Sequence, residues 1–393
     1  MDITIYPQKL RGQISAIPSK SQAHRLLICA AFADQPAFIG CPQTNQDIAA
    51  TADCMNALGA SVKRTEYGYD VTPVCNIPEK ATLNCRESGS TLRFLLPIVG
   101  ALGVDTTFQL AGRLPQRPLS PLWEEMERMG CCLSRPTETT VRCAGKLQQG
   151  NYQIAGNISS QYITGLLFAL SIIGSSRLEI TGKLESAPYV DMTIDALNRF
   201  GICFENGNIT GSYPYRSPGN IEVEGDWSNG AFFLAAKALG NELTVTGLSE
   251  SSYQGDRAVA DILLQLKDNC TIDATDIPDL VPILAVVAGA SRGATFTGIR
   301  RLRLKESDRV ATVAAMLQNL GAKVVVTEET LTVSPATYKG CTVVSFGDHR
   351  IAMAAAIAAT VAKDPVTIIN ADCVCKSYPS FWEEYGRLGG KYE

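Results

Sequence analysis

SKSQAHRLLICAAFA, residues 19–33, opens on hydroxyl and cationic side chains, then runs through eight consecutive apolar residues from Leu26. A surface helix would bring a polar residue back on each turn. A helix that is apolar on nearly all sides must be buried on nearly all sides. The same pattern returns as ESGSTLRFLLPIVGAL from Glu87, ISSQYITGLLFALSII from Ile158 and DWSNGAFFLAAKAL from Asp226. It returns again as DIPDLVPILAVVAGA from Asp276 and GDHRIAMAAAIAATVA from Gly347. With Ser21, Thr91, Ser160, Ser228, Pro278 and His349 as markers, the intervals are 70, 69, 68, 50 and 71 residues. A recurring period of this kind marks a chain built from copies of one supersecondary unit.

Between these stretches lies a second, amphipathic series that closes on glycine and passes into a strand. IAATADCMNALGASVKR, LWEEMERMGCCLSR, MTIDALNRFGICFE and VATVAAMLQNLGAKVVV end their helices at Gly59, Gly130, Gly201 and Gly321. Glycine there is a helix-stop signal. Short β-rich stretches such as SRLEITG, TFTGI and LTVSP fill the gaps. The reading is six copies of a strand-helix-strand-helix-strand unit. Six are too many for one core, so two domains of three copies are expected.

Composition narrows the function. A chain of 393 residues at 46% hydrophobic can bury a large core, and its net charge of −4 offers no global field to nucleic acid or anionic membrane. MDITIYPQKLRGQ has no apolar run of signal-peptide length, and the richest apolar stretches are too short to span a bilayer. The thirteen cysteines are scattered among apolar residues without a C-x-x-C, and there are only two histidines. A zinc or redox site is therefore not expected, and cysteines used as small hydrophobes point to the cytoplasm.

The charges gather at particular places. In RRLRLKESDR, residues 300–309, seven of ten residues are charged, in a chain that is 19% charged. A helix N-terminus presents free N–H groups and a positive dipole end, which suits anions. Cations stand at several such openings: Lys20 and Arg25, Arg93, Arg309 and Arg350. GRLPQRPLSPL adds Arg117 and CKSYPSF adds Lys376. Convergence of these openings would make a cleft for phosphate and carboxylate groups without any metal. Neither G-x-x-x-x-G-K-[ST] nor a strand-following G-x-G-x-x-G is present, so no nucleotide motif competes with that reading.

From PSKSQAHR, ESGSTLRF, QRPLSPL, SSQYITGLL and SAPYVD, through EGDWSNGAFFLAA, DIPDLVP, LKESDR and GDHRIAM, to CKSYPSFW, the chain resembles the EPSP synthases of the enolpyruvyl transferase family. The resemblance implies an α/β fold (α+β repeats) of two domains, each with three βαβαββ-type units and buried parallel helices, inside-out and barrel-like. Residues 1–16 plus 225–393 would form one domain, with the base, the acid and part of the phosphoenolpyruvate site. Residues 17–224 would carry most of the shikimate 3-phosphate site, with the active site in the interdomain cleft. Linkers near 16 and 225 would serve as a hinge.

The implied reaction moves the enolpyruvyl group of phosphoenolpyruvate onto the 5-hydroxyl of shikimate 3-phosphate and releases phosphate, with no cofactor and no metal. It needs anion clamps, a base and an acid. The resemblance puts Lys20, Ser21, Arg25, Ser159, Ser160, Gln161, Ser186, Asp279 and Lys305 on shikimate 3-phosphate. It puts Lys20, Gly89, Arg117, Gln161, Arg309, Arg350 and Lys376 on phosphoenolpyruvate. Asp279 would be the base, Glu306 the proton donor, Lys20 a further catalytic group and Arg93 a support. Lys305 and Arg309, four residues apart, would share one helical turn if the helix begins near Lys305. For Gly89 two readings stand: a backbone that needs positive φ, or a missing Cβ that lets phosphate approach.

Three positions depart from the family pattern. Pro18 replaces a usual Gly, Phe94 a frequent Pro, and Arg301 stands where some relatives use an Asn on the shikimate phosphate, so Arg301 is not assigned. The related UDP-N-acetylglucosamine enolpyruvyl transferases carry Lys-Asn where this chain has Lys20-Ser21. They also use a loop cysteine that GRLPQRPLSPL lacks. A terminal-phosphate cyclase on the same repeat is disfavoured by the net charge and by the presence of both acid and base. The expected partners are small molecules only, with no nucleic acid, no membrane and a monomeric chain.

Overall fold

All six apolar stretches fold as helices: Lys20–Ala31, Gly89–Leu102, Ser160–Ile173, Trp227–Ala238, Val281–Ala290 and His349–Ala359. The computed structural model describes residues 1–210 and 213–393. It divides into a continuous unit, Pro18–Val223, and a split unit, Met1–Ile17 with Glu224–Glu393. Three of the buried helices belong to each unit, and each unit has its own apolar core.

In the continuous unit the Lys80–Arg86 and Asp105–Leu110 strands run parallel, with the Gly89–Leu102 helix as their crossover. The amphipathic Leu122–Arg128 helix follows, and the hairpin Cys131–Ser134/Thr140–Gly145 then pairs antiparallel onto the Asp105–Leu110 strand. This is a βαβαββ unit. Asn151–Ala155, Arg177–Thr181 and the hairpin Cys203–Glu205/Asn208–Thr210 repeat it. The third copy borrows its first strand: Asn220–Glu222, from the end of the unit, lies parallel to Ala37–Gly40. Strand Asn151–Ala155 alternates exposed and buried residues, as a sheet with one face on the helices and one in water must.

The split unit repeats the scheme with one abbreviation. Cys270–Asp273 pairs parallel with Ala294–Thr297, which takes the hairpin Val324–Val326/Leu331–Val333. Cys341–Val344 pairs parallel with Val366–Ile369, and Ile3–Tyr6 from the chain start slots between the latter and Lys391–Tyr392. The third sheet has only two strands, Arg11–Ser15 and Glu242–Thr246. After Glu242–Thr246 come a short 3-10 turn and the Val259–Gln265 helix, and then the next copy begins at Cys270. This copy has no closing hairpin, which explains the interval of 50 residues where the others are near 70. Five copies are βαβαββ and one is βαβα. The described strands form six separate sheets, not a closed barrel.

The glycine stops behave as their chemistry requires. Gly59, Gly130, Gly201 and Gly321 all take positive φ, 79–108°, just past the helix end. Beyond three of them the next N–H reaches back along the helix: Ala60 to Met55, Ile202 to Leu197 and Ala322 to Leu317. Each amphipathic helix is thereby turned into its strand. Among the described residues no helix is long and apolar enough to cross a membrane.

Candidate functional site

The two units cap their helices with different chemistry. Ser19, Ser88 and Ser159 cap the three buried helices of the continuous unit, each accepting a backbone N–H. Asp226, Asp308 and Asp348 do the same for three helices of the split unit. A serine cap leaves the positive end of the helix uncompensated, whereas an aspartate cap neutralises it. Among the buried helices, all three of the continuous unit thus have neutral caps, two of the split unit have carboxylate caps, and the Val281–Ala290 helix has no side-chain cap.

In the continuous unit Arg25 is 2% exposed and is held entirely by neutral oxygens. Its Nε donates to Thr193 Oγ1 (2.8 Å), Nη1 to the Ser21 carbonyl (2.6 Å), and Nη2 to Thr164 Oγ1 (3.2 Å) and the Tyr189 carbonyl (2.9 Å). The guanidinium lies 5.0 Å from the centre of the Phe94 ring. Burial pulls its pKa down, but arginine starts so high that it stays charged. Lys20, at the first turn of the same helix, is paired with Asp47 at 3.0 Å. Gln161 bridges two helices, accepting from Arg93 Nη1 (2.7 Å) and donating to Ser90 Oγ (3.0 Å). Arg93 also donates to the Pro118 carbonyl (3.1 Å), which ties the proline-rich loop to the helix.

Gly89 starts its helix without positive φ, so backbone conformation is not what demands glycine. Space is: a Cβ there would lie 2.7 Å from Arg117 Nη1 and 3.0 Å from Arg93 Nη1. Gly89, Arg93, Arg117 and Gln161 thus form one group. Ser159 accepts from the Gln161 N–H, and Ser160, buried, begins the helix. Ser186 is buried with φ 54°, a left-handed conformation that costs a non-glycine residue about 1–2 kcal/mol.

In the split unit Asp279 is the centre. Its Oδ1 accepts from Arg309 Nη1 (2.5 Å) and lies 3.4 Å from Lys305 Nζ, while Oδ2 accepts from Arg350 Nη2 (3.1 Å). Burial works to raise its pKa, but Arg350, Lys305 and Arg309 outweigh that and hold the carboxylate well below its usual range. Arg309, 1% exposed, also donates from Nη2 to Glu306 Oε2 (2.6 Å) and from Nε to Asp348 Oδ2 (2.8 Å). Asp348 is fully buried, takes the Ser307 hydroxyl (2.9 Å) and caps the helix that carries Arg350. Lys376 Nζ donates to the Gly347 carbonyl (3.2 Å) just ahead of that cap.

One local expectation is corrected. Lys305 and Arg309 do not share a helical turn: Arg300–Leu304 is a 3-10 helix, Lys305 is extended, and the α-helix begins at Arg309 behind the Asp308 cap. Asp308, by accepting the Ala311 N–H, delays the start. Both cations still converge, because each reaches Asp279. The sequence reading missed Asp348, Asp47, Thr164, Thr193 and Ser90. Asp348 carried a signal, an Asp directly before the apolar run. The hydroxyl partners of Arg25 carried none, since they lie 139 and 168 residues away in sequence.

The family model for EPSP synthase (3-phosphoshikimate 1-carboxyvinyltransferase) matches residues 5–385. A 3-phosphoshikimate 1-carboxyvinyltransferase of Clostridium kluyveri is 38% identical, over 100% of this chain and 98% of its own length. One from Clostridium botulinum (strain Eklund 17B) is 38% identical over 99% of this chain and 97% of its own. EPSP synthase from Acinetobacter baumannii superimposes with a TM-score of 0.81 at 22% identity, covering 100% of this chain and 99% of that one. That likeness shows the two-domain fold. The match along nearly the whole length, with the curated relatives, shows that this chain belongs to the EPSP synthase family.

Proposed function

We propose that the two groups of residues act on one pair of substrates, with shikimate 3-phosphate held mainly by the continuous unit. The reaction is enolpyruvyl transfer from phosphoenolpyruvate to the 5-hydroxyl of shikimate 3-phosphate, the activity that names the family. The observation that carries the assignment of residues is the division of charge. Arg25 is a buried cation with only neutral partners, as suits a site that takes a phosphate from outside. Asp279 and Glu306 are carboxylates set against Arg309, as suits proton transfer beside a bound anion.

In this reading Ser21, Arg25, Ser159, Ser160, Ser186, Asp279 and Lys305 hold shikimate 3-phosphate, with Lys20 and Gln161 near both substrates. Gly89 and Arg117 receive the phosphate end of phosphoenolpyruvate together with Lys376, and Arg309 and Arg350 take its carboxylate. Asp279 accepts the proton of the 5-hydroxyl as its oxygen bonds to C2 of phosphoenolpyruvate, and Glu306 delivers a proton to the methylene carbon. The tetrahedral adduct then loses phosphate and a methyl proton to restore the double bond. Such acid-base assistance typically contributes about 10²–10⁴-fold in rate. Arg93, bonded to Gln161, keeps that side chain aimed. The protein works as a monomer in the cytoplasm. The assignment is tested by calorimetry with shikimate 3-phosphate on Arg25→Ala and Lys305→Ala. Weakening by both supports a ligand shared by the two units. Weakening by Arg25→Ala alone would remove Lys305 from the site.

A further inference from the structure

The arginines assigned to the substrate carboxylate already hold carboxylates of the protein. Asp279 spans them, one oxygen on Arg309 Nη1 (2.5 Å) and the other on Arg350 Nη2 (3.1 Å). Glu306 takes Arg309 Nη2 (2.6 Å). A planar carboxylate entering between the same two guanidinium groups would need these N–H groups, whose fork geometry is fixed. The partners of Arg309 differ in kind. Asp348, on the Nε edge, is fully buried, and it also takes a serine hydroxyl and caps a helix. Asp279 and Glu306, on the Nη edge, have side chains 21% and 32% exposed. One partner lies in the interior, and two reach solvent.

We propose that Asp279 is a placeholder for the carboxylate of phosphoenolpyruvate: it competes for Arg309 and Arg350, and becomes an effective base only when the substrate displaces it. The proposal rests on the carboxylate site assigned above. While bridged by two arginines and Lys305, Asp279 is stabilised as an anion and accepts a proton poorly. Transfer of the arginines to the substrate carboxylate removes that stabilisation when the acceptor hydroxyl must be deprotonated. Glu306, released from Arg309 by the same exchange, is then able to carry the proton it delivers. Asp348 stays, and keeps the guanidinium oriented throughout. The arrangement withholds base and acid from the empty site and supplies both when the anionic substrate arrives.

The test is counter-intuitive for a catalytic residue: removing its charge should improve binding. Asp279→Asn preserves shape and deletes the competing anion. Calorimetric titration of the full chain with phosphoenolpyruvate should give a Kd about tenfold lower than wild type, a difference of about 1.4 kcal/mol. Inorganic phosphate, which has no carboxylate, should change by less than about twofold. Unchanged or weaker phosphoenolpyruvate binding would overturn the proposal, and so would equal tightening for inorganic phosphate. Wild-type turnover measured in parallel separates the two levels. An active wild type without tightening in the variant overturns the placeholder alone. A wild type that neither turns over nor binds phosphoenolpyruvate overturns the assignment and the placeholder together. If Asp279→Asn does not melt cooperatively, Glu306→Gln removes the other displaceable partner and carries the same expectation.

Discussion

The guanidinium of Arg117 fills the space that a side chain on Gly89 would occupy, with Nη1 only 2.7 Å from the position of a Cβ. The obstacle is the far end of a flexible side chain, so an added methyl moves Arg117 and leaves the helix intact. Gly89→Ala should raise the KM for phosphoenolpyruvate roughly tenfold, the loss of about one good contact. Shikimate 3-phosphate affinity and melting temperature should stay near wild type. A variant that loses melting temperature while both substrate constants hold would make Gly89 a packing residue only.

Glu306 lies beside Arg309 at 2.6 Å and is partly exposed, the position of a group that can meet a substrate. Glu306→Gln keeps its size and hydrogen bonding but cannot donate a carboxylic proton. Turnover should fall about 10²–10⁴-fold, with calorimetric affinity for shikimate 3-phosphate little changed. Near-normal turnover would take Glu306 out of the mechanism.

Asp256 is fully buried, and burial, followed by the charge of Asp279, pushes its carboxyl up to about 6. An unfolded Asp titrates near 3.9. Its contribution is therefore complete below about pH 4 and is lost as pH rises through 6. Asp256→Asn removes the cost of that buried charge. Its melting temperature relative to wild type should rise between pH 4 and pH 8, by an amount on the order of a few degrees. A difference that does not vary with pH would show that the carboxyl does not titrate as described.

A buried chain of hydroxyls joins three helices. His24 Nδ1 meets Thr51 Oγ1 at 2.7 Å, Thr51 meets Thr91 Oγ1 at 2.7 Å, and Thr91 donates to the Ser88 cap at 2.7 Å. Burial, with Lys20 and Arg25 nearby, holds His24 well below its usual pKa, so the ring stays neutral. Thr51→Val should cost about 1–3 kcal/mol in denaturant unfolding, because it strands polar groups on both sides. Thr51→Ser should recover most of it. Equal stability of the Val variant would mean the chain is incidental.

The repeat was legible because its signal is physical: a helix apolar all round can only be buried, and six of them recur near one spacing. The short interval between Ser228 and Pro278 was equally visible, yet a missing hairpin leaves no trace beyond lost length. At the site, Lys20, Arg25, Arg93, Arg309 and Arg350 stood out because they recur at the polar openings of helices. Their partners did not. Thr164 and Thr193 look like ordinary helix residues until the fold brings them to Arg25, and the Asp308 cap moves the helix start that would have put Lys305 and Arg309 on one turn. Local chemistry can be read along the chain, whereas contacts across more than a hundred residues need the fold.

In the proposed mechanism this chain carries out enolpyruvyl transfer with Asp279, Glu306 and the arginines around them. The most direct measurement is phosphate release from phosphoenolpyruvate in the presence of shikimate 3-phosphate, in buffer containing a chelator, with wild type and Asp279→Asn side by side. Release should require both substrates in the wild type and fall by at least about 10²-fold in the variant. No release by the wild type, or release that proceeds equally well without shikimate 3-phosphate, would contradict it.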